Sequence, residues 1–300
     1  VIATVRIDWG TTNARAWACA ADGSVVERRH AALGIRNVGA AGFRAAFDHL
    51  VEGWPVTAVP VVMSGMVGSR QGWQEAPYAG CPASLDSLAA ALIRLPEPET
   101  ILIVPGVGRG GAGERHDVMR GEEVQCFGAL AREGRADGLI CLPGTHSKWV
   151  RMAEGRIVDF ASAMTGEVFE VMSRHSILGA LMAEAVPGHD GGAAFRRGLD
   201  RAGEAGGLLN HLFSARADAL FGEIAADEIR DYLSGVLIGH EIREMPRLLG
   251  GSGEILVIAD GPLPGRYRTA FAHLAIPARL LDAEAVTVAG LGLVLDHAGR

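Results

Sequence analysis

One supersecondary pattern occurs twice in this chain, and it limits the fold more than any other feature. Ile7-Asp-Trp-Gly-Thr-Thr-Asn13, with Gly23 at the following turn, is echoed by Leu142-Pro-Gly-Thr-His-Ser-Lys148, with Gly155 at the following turn. In each copy a strand-like run leads into a Gly-Thr-x-polar tip, a strand returns, and a glycine turn opens a third strand. Ile2, Val5, Ile7, Trp17 and Cys19 suit a pleated surface and Gly10 permits the chain to reverse, so the first motif reads as a hairpin tip. Glu133-Gly-Arg-Ala-Asp-Gly138 has the charged, glycine-containing character of a boundary. The expected domains are therefore 1–136 and 137–300, with the C-terminal helix crossing back.

Strand-like runs at 2–7, 24–27, 58–63, 101–104, 139–142, 157–160 and 255–258 alternate with helical patterns around 40–52, 84–94, 122–133, 166–184, 206–222 and 226–249. That alternation predicts an α/β protein. A formal charge of −7 argues against a nonspecific nucleic-acid binder, which needs a basic face to neutralise phosphates. Cys19, Cys81, Cys126 and Cys141 show no C-x-x-C spacing and read as free thiols in a reducing compartment. With no leader pattern and no apolar run of membrane-spanning length, a cytoplasmic protein without a membrane partner is expected.

Two facing hairpin tips would present Thr11, Thr12, Asn13, Thr145, His146 and Ser147 to whatever lies between them. Phosphate oxygens suit such hydroxyl and backbone N–H donors, and Gly10 and Gly144 allow close backbone approach. Asp8 then suits Mg²⁺, which keeps several waters and prefers one or two carboxylates nearby. Gly106-Val-Gly-Arg-Gly-Gly111 satisfies the dinucleotide fingerprint, but no apolar-periodic helix opens after it and Pro105 interrupts the approach. It reads as a flexible loop. Gly235-Val-Leu-Ile-Gly239 reads as a close helix crossing in a soluble helix, because Glu241, Arg243 and Glu244 follow at once.

The doubled hairpin resembles the actin/hexokinase/Hsp70 nucleotide-binding superfamily. Met63-Ser-Gly-Met-Val-Gly-Ser-Arg-Gln-Gly-Trp73, Asp117-Val-Met-Arg-Gly-Glu-Glu-Val-Gln125, Pro143-Gly-Thr-His-Ser-Lys-Trp149, Met164-Thr-Gly-Glu167 and Ala259-Asp-Gly261 stand in the order of the 2-dehydro-3-deoxygalactonokinase family, over nearly the whole chain. The resemblance implies two ribonuclease-H-like (actin/hexokinase-type) domains with an ATP cleft between them. It also implies ATP- and Mg²⁺-dependent phosphorylation of the 6-hydroxyl of 2-dehydro-3-deoxy-D-galactonate. A kinase for another sugar or sugar acid, or a non-catalytic binding regulator on the same scaffold, are the alternatives.

Phosphoryl transfer needs a carboxylate to accept the hydroxyl proton. In related FGGY-type sugar kinases a Gly-Asp-Gln-Gln segment supplies it, and Gly121-Glu-Glu-Val124 stands in a similar place, so Glu122 takes the role; Glu123 and Asp117 remain open. The substrate is an acid, and Arg70 and Arg120 are candidates to hold its carboxylate, with Ser64, Gly65 and Trp73 framing the ligand. Gly206, Gly207, Asp260 and Gly261 are candidate adenine and ribose contacts. The expected partner is the small-molecule sugar acid, with a homodimer left open.

Overall fold

The computed structural model describes residues 1–96, 100–111, 113, 115–183, 192–251 and 253–299. In chain order the elements are β1 (Thr4–Trp9), β2 (Ala14–Cys19), β3 (Val25–Ala31), α1 (Gly42–Leu50), β4 (Val61–Ser64), β5 (Tyr78–Gly80), α2 (Leu85–Ala90), β6 (Ile93–Arg94), β7 (Ile101–Ile103), β8 (Gly106–Arg109), β9 (Asp117–Met119) and α3 (Glu122–Glu133). They continue with β10 (Gly138–Leu142), β11 (Ser147–Ala153), β12 (Arg156–Ala163), α4 (Thr165–His175), α5 (Ala193–Arg201), α6 (Gly207–Leu220), α7 (Ile229–Leu249), β13 (Ile255–Ala259), α8 (Leu263–His273), β14 (Ala278–Asp282) and α9 (Ala283–Ala298). Internal contacts divide the chain into two units: Val1–Asp137 with Met152–Asp159 and Ala283–Arg300, and Gly138–Arg151 with Phe160–Asp282.

In the first unit the sheet order is β3-β2-β1-β4-β7-β6, with β1 and β2 antiparallel and β4 parallel to both β1 and β7. Side chains alternate along β1, so Val5, Ile7 and Trp9 enter a core with Phe47, Leu50 and Trp54. Arg6 is only 8% exposed, and its Nη1 donates to the Val288 carbonyl of α9 at 2.8 Å. α9 also packs on α3. Glycine permits that crossing: a Cβ on Gly128 would collide with the Val286 carbonyl, and one on Gly290 with the Val124 carbonyl.

The second sheet has the order β12-β11-β10-β13-β14, with β13 parallel to both β10 and β14. The echo in the sequence is thus a repeat of topology: a central first strand, its next two strands on one side, and later parallel strands on the other. α5 and α7 cross where Gly198 and Gly235 remove side chains, since a Cβ on Gly235 would meet the Phe195 carbonyl and one on Gly198 the Tyr232 carbonyl. The Gly235 to Gly239 motif is this crossing. Among the described residues no helix is long and apolar enough to span a membrane, and all four cysteines are free.

Three expectations need correction. Gly106 to Arg109 is not a flexible loop but strand β8, flanked by β5 and β9. Its glycines alternate onto one face: a Cβ on Gly106 would come 2.7 Å from the Tyr78 ring, and one on Gly108 3.2 Å from Tyr78 Cβ, so the motif makes room for an aromatic ring. Part of the segment that follows lies outside the described residues. The helix expected at 84–94 ends at Ala90, and β6 takes up Ile93 and Arg94. The helix expected at 166–184 ends at His175, where Ser176 turns extended and returns its hydroxyl to the Met172 carbonyl at 2.6 Å; residue 184 lies outside the described residues.

Candidate active site

In the first unit the turn after β1 closes through Gly10 N–H to the Asn13 carbonyl at 2.9 Å. Residues 34–36 lie across it and take its carbonyls: Gly34 N–H donates to Thr12, Ile35 to Gly10 and Arg36 to Thr11, at 3.0 to 3.2 Å. A Cβ on Gly34 would collide with the Thr11 and Thr12 backbone. With the carbonyls occupied, the N–H groups of Thr11, Thr12 and Asn13 have no hydrogen-bond partner among the described residues. An anion-binding turn needs that polarity.

Asp8 is the last residue but one of β1, opposite Arg15 on β2 and Ser64 on β4. Gly65 follows at φ 91°, a left-handed backbone that disfavours any side chain. A Cβ there would come 2.9 Å from the Trp9 carbonyl and 3.2 Å from Asp8 Oδ1. Gly121, at φ 109°, caps α3, and its Cβ would sit 3.2 Å from Gly65 Cα. Asp8, Ser64, Gly65 and the start of α3 are therefore gathered into one cluster. The Ser64 hydroxyl is fully buried there without a hydrogen-bond partner among the described residues.

Arg120 immediately precedes this helix start. Its Nη2 donates to the Ala76 carbonyl at 2.8 Å, and its guanidinium lies 4.4 Å from the centroid of the Tyr78 ring. Nε and Nη1 are buried with no partner among the described residues. A buried guanidinium with two open donors is costly unless an anion completes it. Arg70, by contrast, is exposed. Trp73 is engaged elsewhere, 5.6 Å from the Phe47 ring and 6.2 Å from the Trp9 ring between centroids.

The two glutamates of α3 differ sharply. Glu122 is half-buried and its Oε2 accepts the Arg120 N–H at 3.0 Å. Glu123 is fully buried, and both its oxygens accept the Gly121 N–H, at 3.0 and 2.7 Å. Burial, and then the neighbouring Glu122 charge, push its carboxyl up to about 8. Between the ordinary carboxylate value and that one, the folded state holds a proton that the unfolded chain has released. The stability tied to this group is complete below that window and is lost as pH rises through it. Glu123→Gln removes the titration, so between about pH 5 and about pH 8 its stability relative to the parent should rise by about 1.4 kcal/mol per pH unit. Urea denaturation across that range reads the difference, and a flat profile would contradict it. Asp117 lies on β9, where Oδ1 accepts the Val118 N–H at 2.8 Å.

In the second unit the tip between β10 and β11 is held by α4. A Cβ on Gly166 would come 2.5 Å from the Gly144 carbonyl and 2.8 Å from Thr145 Cα, the Glu167 N–H donates to the Thr145 carbonyl at 3.0 Å, and the Glu167 carboxylate meets His146 Nε2 at 2.5 Å. Thr145 and His146 are exposed. The Ser147 hydroxyl is fully buried, accepts the Gly144 N–H at 3.4 Å and reaches the Tyr267 hydroxyl at 3.5 Å, so it faces the interior.

Beside this tip is a cavity of about 420 Å³, within the range of small-molecule sites. Gly144, Thr165 and Gly166 form one wall, α7 contributes Leu237, and α8 contributes Arg266 and Tyr267. Arg266 pairs with Asp231 at 2.6 Å on its lining. Asp260 and Gly261 immediately precede the lining residue Pro262, and the Gly261 N–H is held by Asp260 Oδ1 at 2.7 Å. Gly206 and Gly207 do not line the cavity; they stand at the start of α6 with φ 133° and 73°, a backbone that favours glycine.

Residues 8–294 match the sequence profile described as 2-keto-3-deoxy-galactonokinase. The chain belongs to the 2-keto-3-deoxy-galactonokinase family. It is 35% identical over 267 residues to the 2-dehydro-3-deoxygalactonokinase of Escherichia coli (strain K12), covering 89% of this chain and 88% of that protein. A crystal structure from Sinorhizobium meliloti, provisionally assigned the same kinase activity, is 38% identical, covers 97% of both chains and superposes with a TM-score of 0.90. The activator of the 2-hydroxyisocaproyl-CoA dehydratase from Clostridium difficile, solved with bound ADPNP, covers 99% of this chain and 94% of its own at 12% identity and a TM-score of 0.52. That is a likeness of fold: two ribonuclease-H-like halves of the actin/hexokinase type.

In this member of the 2-keto-3-deoxy-galactonokinase family, the carboxylate beside the first turn, Asp8, is compatible with the Mg²⁺ expected from the sequence. Among the described residues no three His, Cys, Asp or Glu side chains form a metal cage. Asp8 stands at a strand end beside an anion-ready turn, which suits an ion held mainly by water and phosphate oxygens. The sequence alone does not single out Thr165, Asp231, Arg266 and Tyr267 as cavity residues, nor the burial of Glu241, which is 3% exposed. A signal existed: Ser234, Ile238 and Glu241 fall on one stripe of a helix whose other members are apolar or small.

Proposed function

We propose that this chain is an ATP-dependent kinase that phosphorylates 2-dehydro-3-deoxy-D-galactonate at its 6-hydroxyl, giving 2-dehydro-3-deoxy-6-phosphogalactonate and ADP in galactonate breakdown. The observation that carries the reading is the family match across residues 8–294. Residues 1–136 bind the sugar acid and residues 137–300 bind the nucleotide. Arg120 anchors the substrate carboxylate, supported by its buried, unpartnered Nε and Nη1. Ser64 and Gly65 bound the sugar site, with Arg70 and Trp73 as outer contributors. Glu122 accepts the hydroxyl proton as the oxygen attacks the γ-phosphorus and the bond to the ADP oxygen breaks.

The N–H groups and threonine hydroxyls of the Gly10 to Asn13 turn, with Thr145 and His146 of the second turn, hold phosphate oxygens; Gly144 and Ser147 brace that second turn from inside, and Asp8 would hold a water of the metal ion. Asp8 would help to hold Mg²⁺, which would supply positive charge to offset that of the phosphates. Asp260 and Gly261 border the ribose, while Gly206 and Gly207 are retained as outer contacts of the nucleotide. Four free cysteines support a reducing, cytoplasmic setting. A coupled ADP-release assay with ATP and Mg²⁺ over a panel of 2-keto-3-deoxy sugar acids tests the reading. The galacto acid should give the highest kcat/KM. Release no faster than the acceptor-free blank with every acid would refute the kinase, and a better acid would move the substrate.

A further inference from the structure

Glu241, in the middle of α7, is the point at which five elements of the second unit meet. Its Oε1 accepts Trp149 Nε1–H from β11 at 2.8 Å, and Tyr267 of α8 donates to both oxygens, at 2.9 and 3.0 Å. The Thr165 hydroxyl, at the first residue of α4, donates to Oε2, and Cys141 of β10 lies 3.9 Å away through its sulfur. The tyrosine proton is committed to the carboxylate, so Ser147 is left to donate to the tyrosine oxygen while accepting the Gly144 N–H. A continuous chain runs from the Gly144 backbone through Ser147 and Tyr267 to Glu241, and from Glu241 to Thr165.

The ends of that chain are functional walls. Gly144, Thr165 and Tyr267 all line the 420 Å³ cavity, whereas Glu241 does not. Gly166, next to Thr165, leaves no room for a Cβ beside the Gly144 carbonyl, so α4 and the hairpin tip lie close together. Every contact to the carboxylate comes from a group able to donate, and Trp149 Nε1–H can do nothing else. A buried carboxylate survives only when so satisfied; burial raises the Glu241 carboxyl while the Thr165, Trp149 and Tyr267 donors oppose the rise.

We infer that Glu241 is a positioning residue for the nucleotide: without touching it, this carboxylate fixes the second hairpin and the cavity wall in binding geometry. The inference rests on the proposed nucleotide role of this unit. Glutamine keeps the shape and can accept from Trp149 and Tyr267 while donating to Thr165, whose hydroxyl can reverse, so Glu241→Gln removes charge and keeps connectivity. Thr165→Val cuts only the α4 arm.

The test measures ADP·Mg²⁺ binding by calorimetry, thermal denaturation and both KM values in the full chain. Both variants should melt within about 5 °C of the parent. Each should bind ADP and show KM for ATP weaker by ~10-fold: Thr165→Val through the loss of one hydrogen bond to a charged acceptor, Glu241→Gln because its hydrogen bonds, though kept, are no longer charge-assisted and hold the wall less firmly. KM for the sugar acid should stay within ~2-fold. Unchanged ADP affinity in folded variants, or equal rises in both KM values, would overturn the inference. If Glu241→Gln fails to fold, Thr165→Val alone decides by the same two criteria. Failure of the unmodified protein to bind ADP would overturn the nucleotide reading itself, a result separate from binding that the variants leave unaltered.

Discussion

Glu122→Gln is expected to lower kcat by ~10²-fold or more, the loss usual for a positioned proton acceptor, while leaving the fold and ADP binding intact. The amide has nearly the shape of the carboxylate and can still accept the Arg120 N–H through its oxygen, so the local structure around Gly121 has no reason to change. What it cannot do is take a proton from the substrate hydroxyl. Glu123→Gln and Asp117→Asn are the comparisons that give the result meaning. Glu123 is sealed from solvent with both oxygens on the Gly121 N–H, and Asp117 folds back on its neighbour's backbone. Each should therefore retain kcat within ~10-fold. An active Glu122→Gln beside an inactive Glu123→Gln or Asp117→Asn would transfer the role.

The second large effect concerns the acid end of the substrate. Arg120 has its aromatic and carbonyl contacts on one side and two buried, unpartnered nitrogens besides. A carboxylate binding there gains charge-assisted hydrogen bonds, whereas a neutral hexose leaves the guanidinium unsatisfied. The unmodified protein should discriminate against glucose or glycerol by ~10²-fold or more in kcat/KM. Arg120→Ala should lower kcat/KM for the sugar acid by a similar ~10²-fold and erase the preference, with KM for ATP nearly unchanged. Arg120→Lys should recover only part of it, because an ammonium cannot present the planar fork. Comparable turnover of neutral and acidic acceptors by the unmodified protein would sink both the substrate class and the role of Arg120.

Legibility in the sequence followed the range of the interactions involved. The hairpins were readable because glycine, threonine and alternating apolar residues encode a turn within a few positions, and the bounds of α3 were readable from Gly121 before it and Gly134 after it. Asp8, Gly65 and Gly121 could be singled out individually, yet their gathering depends on parallel strands distant in the chain, which no local pattern states. α5 and α8 went unread because both contain an interior glycine and many charges: Gly198 is there to meet the Tyr232 carbonyl of another helix, while Gly265 sits between Pro264 and Arg266. The interior place of Glu241 went unread. With Arg243 and Glu244 it marks a soluble helix, but no local pattern says that the helix turns Glu241 inward, where donors from β11, α4 and α8 replace water.

The crossing of α9 on α3 also bears on how the chain is made. The partner that Gly128 requires is carried by residues translated after the entire second unit. At ordinary rates of synthesis, roughly ten to thirty seconds separate the emergence of α3 from that of α9. During that interval the α3 surface around Val124 and Gly128 has no cover from its native neighbour, and the contiguous stretch Phe160–Asp282 is synthesised in full before α9 follows. The nascent protein must therefore finish its second half before it can close its first, reversing the order in which the two begin.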